Sequence, residues 1–177
     1  YSLAVSDDGK DIAIGAIGSD FTGLNNGKVY LYRYNFDSEN PLFELQQELY
    51  SPKGQQNEYF GYSLDFSKNK LAIMSTNGDN IAEMTFDSNL TQFDNSATAF
   101  RDRVVDNGQV YIFENYNDTW IYAEKMRYLR DTSKALFPSV KIVDNHIIVG
   151  QPGSMFTNSL GLDTNVGFVV DFRAQKN

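Results

Sequence analysis

At 177 residues and 41% hydrophobic content, the chain is sized for one ordinary domain with its own core. A net charge of −8, with no lysine/arginine run longer than a pair, argues against nucleic acid, whose phosphates need a basic face. The absence of cysteine removes disulfides, zinc–thiolate sites and thiol nucleophiles together. No apolar run approaches the roughly 18 residues needed to cross a bilayer, so membrane insertion is not expected.

With 13 Phe, 11 Tyr and only 4 Pro, the composition favours strands over helices. Ser2-Leu3-Ala4-Val5 reads as a short strand, and Ser6-Asp7-Asp8-Gly9-Lys10 as a turn with the Asp-Gly hairpin signal. Residues 11–17 are nearly all apolar and read as a buried strand. After a polar loop, residues 27–34 alternate with period two, placing Val29 and Leu31 on one face and Tyr30, Tyr32 and Tyr34 on the other. Beyond the turn at Pro41, the run from Leu42 to Tyr50 also begins by alternating. Its Leu/Glu/Gln content would suit a helix, but the run is short and uncapped, and a strand is expected.

The same succession of runs then recurs. A second set covers residues 59–64, 70–74, 108–113 and 119–124, interrupted by a polar detour at 77–107. A third covers residues 137–142, 146–152 and 167–172, and has no fourth run before Asn177. Superposed, Ser2, Ser63 and Ser139 share one position, and Gly15, Met74 and Gly150 a second. Gly27, Gly108 and Gly167 share a third, each opening a Gly-x-Val run. A four-strand unit repeated in order is the signature of a propeller blade. The expected fold is all-β: a β-propeller of four-stranded antiparallel blades, with blade one at 1–58, blade two at 59–134 and an incomplete blade three at 135–177. Propellers typically have about four to eight blades, so these three are expected to be a fragment of a larger propeller.

Several residues carry a family likeness. Phe60-Gly61-Tyr62-Ser63, the strand endings Gly15-Ala16-Ile17 and Gly150-Gln151-Pro152, and the Gly-x-Val openings together resemble FG-GAP repeats. These are the blades of integrin alpha-subunit propellers and of many bacterial and phage surface proteins. Asn117-Asp118-Thr119-Trp120 resembles the turn before the fourth strand in microbial members. The likeness departs at Met74-Ser75-Thr76, where a Gly-Ala-Pro is expected. It implies an extracellular, cell-surface or virion setting and a non-enzymatic role, with loops of the propeller contacting other proteins of an assembly. The alternative is an adhesin for a carbohydrate or receptor.

Members of the family often hold calcium between the first two strands of a blade. Here the weak candidates are Asp7, Asp8 and Asp11, in a turn too short to supply the six to eight oxygens calcium takes, so no metal or other cofactor is expected. His146, the sole histidine, lies at the start of an apolar run with no triad pattern around it. A propeller glycosidase is the distant alternative. Asp118-Thr119-Trp120 resembles the end of a sialidase box, but the glycine its turn needs is missing, and Trp120 is expected to pack between blades. Met84, Phe86, Phe93, Phe100, Arg101 and Arg103 make the detour the candidate partner-binding loop, because a long loop with aromatic anchors is usually functional.

Overall fold

The computed structural model describes residues 1–36, 42–76, 108–128, 138–144, 146–157 and 163–173. The protein is all-β, with no helix among these residues. The first sheet is an antiparallel meander of β1 (Ser2–Val5), β2 (Asp11–Ala16), β3 (Lys28–Asn35) and β4 (Leu42–Tyr50). The second has the same order in β5 (Ser63–Ser67), β6 (Lys70–Ser75), β7 (Gly108–Tyr116) and β8 (Thr119–Tyr128). The third pairs β9 (Ser139–Val143), β10 (His146–Thr157) and β11 (Asp163–Arg173).

The landmark residues turn out to be cross-strand partners. Ser2 faces Gly15, Ser63 faces Met74, and Ser139 faces Gly150. Each second-strand landmark is in turn opposite the valine of a Gly-x-Val opening: Val29, Val110 and Val169. The three sheets therefore share one pairing register, not only one strand order. Leu42–Tyr50 is a strand, as expected, because it pairs with β3 along its whole length, and those ladder bonds override helix propensity. A bulge between Leu31 and Tyr32 takes up one extra residue of β4.

Residues 59–62 differ from expectation. They read as the start of a strand, but β5 begins only at Ser63, and the Phe-Gly pair forms an elbow. Asn57, Tyr59 and Gly61 have φ of 57°, 54° and 92°, values a strand cannot contain. The elbow is fixed by Tyr59 and Phe60 donating to the Asn25 and Asn26 carbonyls, and by Gly61 and Tyr62 both donating to the Met74 carbonyl. Phe60 is fully buried, with its ring 5.4 Å from Tyr111 and 6.2 Å from Phe113.

The sheets stack face to face. One core joins Ala4, Ala13, Val29 and Leu31 of the first sheet to Leu64, Phe66, Leu71, Ile73, Tyr111 and Phe113 of the second. A separate core joins Ala72, Met74, Val110 and Ile112 to Val140, Ile142, Ile147 and Val149 of the third. The second sheet is thus apolar on both faces, which explains the continuous run Leu71-Ala72-Ile73-Met74 where a one-sided sheet would alternate. Each fully buried large side chain contributes about 1.5–3 kcal/mol through water exclusion. Closest approach is along the first strands, where β5 lies against both β1 and β9. Trp120 packs at the first junction as expected, 5.4 Å from Phe66, and its backbone exchanges two hydrogen bonds with the Gln47 side chain.

Candidate interaction site

Met84, Phe86, Phe93, Phe100, Arg101 and Arg103 all lie outside the described residues, as does the rest of the 77–107 detour. The root of that detour is described. It leaves after β6 and returns at β7, with Ser75 directly opposite Gln109. The connections between β2 and β3 and between β10 and β11 leave from the same end of their sheets.

Below this root lies a buried polar cluster that sequence reading did not find. Glu58, on the connector between the first two sheets, has no solvent exposure. Its Oε1 accepts from Ser51 Oγ at 2.7 Å and from the Tyr111 hydroxyl at 2.5 Å, and its Oε2 accepts from Gln55 N at 3.1 Å. Burial pushes the carboxyl up, against the lowering effect of these donors. Burial and the adjacent Glu58 charge push the Tyr111 phenol up as well. Tyr111 Oη also lies 2.7 Å from Gln109 Oε1. Its single proton serves one acceptor at a time, so a charged Glu58 holds it. A protonated Glu58 can donate to the phenol oxygen, which turns its own proton to Gln109. The cluster thus links the protonation of Glu58 to the first residues of β7. No periodic signal marks Glu58, since it sits in an irregular connector.

The β2–β3 loop is tied to the same connector. Thr22 Oγ1 donates to the Gly54 carbonyl at 2.9 Å, and Asn25 Nδ2 to Asn57 Oδ1 at 3.1 Å. Asn26 is buried and braces the loop, accepting from Phe21 N at 3.0 Å and donating to Thr22 Oγ1 at 2.6 Å. Phe21 itself is 62% exposed and stacks on Tyr50 with ring centres 4.1 Å apart.

Asp7, Asp8 and Asp11 do not converge on a common point. Asp7 Oδ2 accepts from Lys68 N of the next sheet at 3.1 Å. Asp8 Oδ1 accepts from Ser6 Oγ at 2.8 Å and Lys10 N at 3.1 Å, bracing its own turn, and these bonds lower its pKa. Asp11 takes the Arg33 guanidinium in two-point fashion at 2.7 and 3.1 Å, and the same guanidinium reaches Asp118 of the β7–β8 turn at 2.5 Å. Arg33 lines an open cleft of about 410 Å³ with Lys10, Glu44 and Asp118. Among the described residues no group of three His, Cys, Asp or Glu side chains is placed to hold a metal ion. His146 begins β10 opposite Val143.

Compared with protein-family models and with curated proteins, the chain matches none.

Proposed function

We propose that this chain is a non-enzymatic interaction module, a portion of a β-propeller of the FG-GAP kind that presents its second-to-third-strand loops to other proteins of a virion or cell-surface assembly. The observation that carries the reading is the shared register of three successive sheets, stacked face to face and closest along their first strands. That geometry is what blades fanned about an axis require. It also brings the second-to-third-strand connections out at one end, where a partner can meet several of them together. The buried polar groups support a scaffolding role: Asp65 accepts from Ile142 N at 2.7 Å and pairs with Lys141 at 2.5 Å, joining neighbouring sheets. The FG-GAP likeness supports the same end as the binding face by analogy.

Deletion of residues 79–106 is the test. The shortened chain is expected to keep its far-UV β spectrum and to lose co-purification with the sister proteins of its assembly. Loss of folding instead would make the loop part of the core and end this assignment.

One observation favours the carbohydrate or receptor adhesin as a second reading. Phe21 offers an exposed ring at the same end, beside Asp20 and Asn25, a combination that suits stacking on a sugar. Glycan-array binding that is lost in both Phe21→Ala and Phe93→Ala would select it.

A further inference from the structure

At the end of the molecule opposite the β2–β3 loop, the first two sheets leave a polar cleft between them. The β1–β2 turn, the end of β3 and the start of β4 meet the β7–β8 turn of the second sheet there. Its volume of about 410 Å³ lies inside the about 300–1,000 Å³ of sites that hold small molecules. Asp118 reaches it from a tight turn in which Asn117 and Asp118 have φ of 50° and 63°. Asn115 Oδ1 fixes that turn by accepting from Asp118 N at 3.0 Å. The cleft therefore belongs to neither sheet alone.

Its polar groups are held in place and yet have capacity to spare. Asp11 takes the Nε and Nη2 of Arg33, and Asp118 takes its Nη1. A guanidinium carries five N–H groups, so one on each terminal nitrogen is left over, on a side chain fixed at three points. Glu44 Oε1 accepts from Asn35 Nδ2 at 3.0 Å, which orients that carboxylate. Glu44 Oε2, Asp118 Oδ2 and the Gln46 amide have no hydrogen-bond partner among the described residues. Donors and acceptors thus stand side by side around one hollow. Phe36 lines it as well, 61% exposed, with its ring set edge-to-face on Tyr34 at 4.5 Å.

We infer that this cleft is a binding site for a neutral saccharide. A hydroxyl group both donates and accepts, so the neighbouring hydroxyls of a sugar fit where carboxylate oxygens and N–H groups alternate. A basic peptide would use the acceptors alone and leave the Arg33 and Gln46 donors facing it without partners. Asp8, Asp11, Glu44 and Asp118 outnumber Lys10 and Arg33, and that negative balance selects against acidic sugars and phosphates. Phe36 receives the apolar C–H face of the ring, and the preset guanidinium binds without first having to be ordered. The site lies at the far end from the second-to-third-strand loops, so it rests on neither reading of what those loops bind.

Saturation-transfer NMR on the whole chain tests it, with lactose, maltotriose, cellotriose and mannotriose as probes. At least one is expected to receive saturation at millimolar concentration, and tetralysine none. Phe36→Ala and Gln46→Ala change exposed side chains, so both are expected to keep the far-UV spectrum while weakening the sugar's Kd about tenfold. Phe21→Ala, at the other end, is expected to leave the Kd unchanged. Transfer to none of the four sugars overturns the inference, and so does transfer to tetralysine alone, which would mark a basic-peptide site. Sugar binding that falls with Phe21→Ala and not with Phe36→Ala also overturns it, in favour of the adhesin reading of the loop end. None of these outcomes touches the loop-deletion result, so the proposals fail separately.

Discussion

Replacing Gly15 by alanine places a methyl group 2.0 Å from the Gly61 carbonyl oxygen and 2.3 Å from Ser2 Oγ. Neither neighbour can yield easily. Gly61 is held by its N–H on the Met74 carbonyl, and Ser2 Oγ is the donor to that same Gly61 oxygen. The substitution therefore forces the elbow away from the first sheet. Overpacking of this kind costs about 1–3 kcal/mol, and the severed serine hydrogen bond adds about 1 kcal/mol. The expected loss is about 2–4 kcal/mol. Gly150 holds the same place in the third sheet, but there, among the described residues, an added methyl meets the serine oxygen alone, at 3.2 Å. Gly150→Ala is expected to lie within about 1 kcal/mol of the parent, with relief of glycine's backbone entropy as the main term. Urea unfolding measures both, with unchanged slopes required for the comparison. Equal destabilisation by the two substitutions would show that a strand glycine, and not the elbow contact, sets the cost, and would refute the reasoning.

The elbow's ring gives a second expectation: Phe60→Ala should cost about 3–5 kcal/mol in the same assay, as a buried aromatic truncation does, with Phe60→Leu clearly milder. Glu58 gives a pH dependence. Its folded pKa is raised above the ordinary 4.5, so its contribution is fully present below that value and is lost as pH rises through the folded pKa. Glu58→Gln should carry a constant cost of about 1–3 kcal/mol, because an amide nitrogen cannot accept from Gln55 N, yet show a flatter stability profile above pH 4.5. Parallel profiles for parent and variant would remove Glu58 as the titrating group. Finally, Asp7, Asp8 and Asp11 already serve three separate sets of donors, so millimolar calcium is expected to leave the melting temperature unchanged. A clear rise in a chelator-controlled melt would show that the three carboxylates can regroup around an ion.

What the sequence made legible was what period two encodes. Val29/Leu31 against Tyr30/Tyr32, and the recurrence in one order of a Ser, a Gly or Met and a Gly-x-Val opening, located the eleven strands of the described residues, because one-residue slips would turn every apolar side chain outward. Alternation failed where the backbone leaves the extended region. Phe60 and Tyr62 flank Gly61 with the spacing of a strand, and only the positive φ at Tyr59 and Gly61 distinguishes the elbow. The contacts between sheets were harder still. Arg33 meets Asp118 across 85 positions, and Glu58 meets Tyr111 across 53. Such pairs have no local spacing by which to find them; they exist only once the sheets are stacked. The Phe-Gly motif nonetheless had a physical reason waiting in the fold. The phenylalanine fills the gap between two sheets, and the glycine lets the chain turn within contact of Gly15, where a side chain on either residue would hold the sheets apart. The motif thus acts as a spacer that sets how closely one sheet lies on the next, and the close-packed junction follows from it.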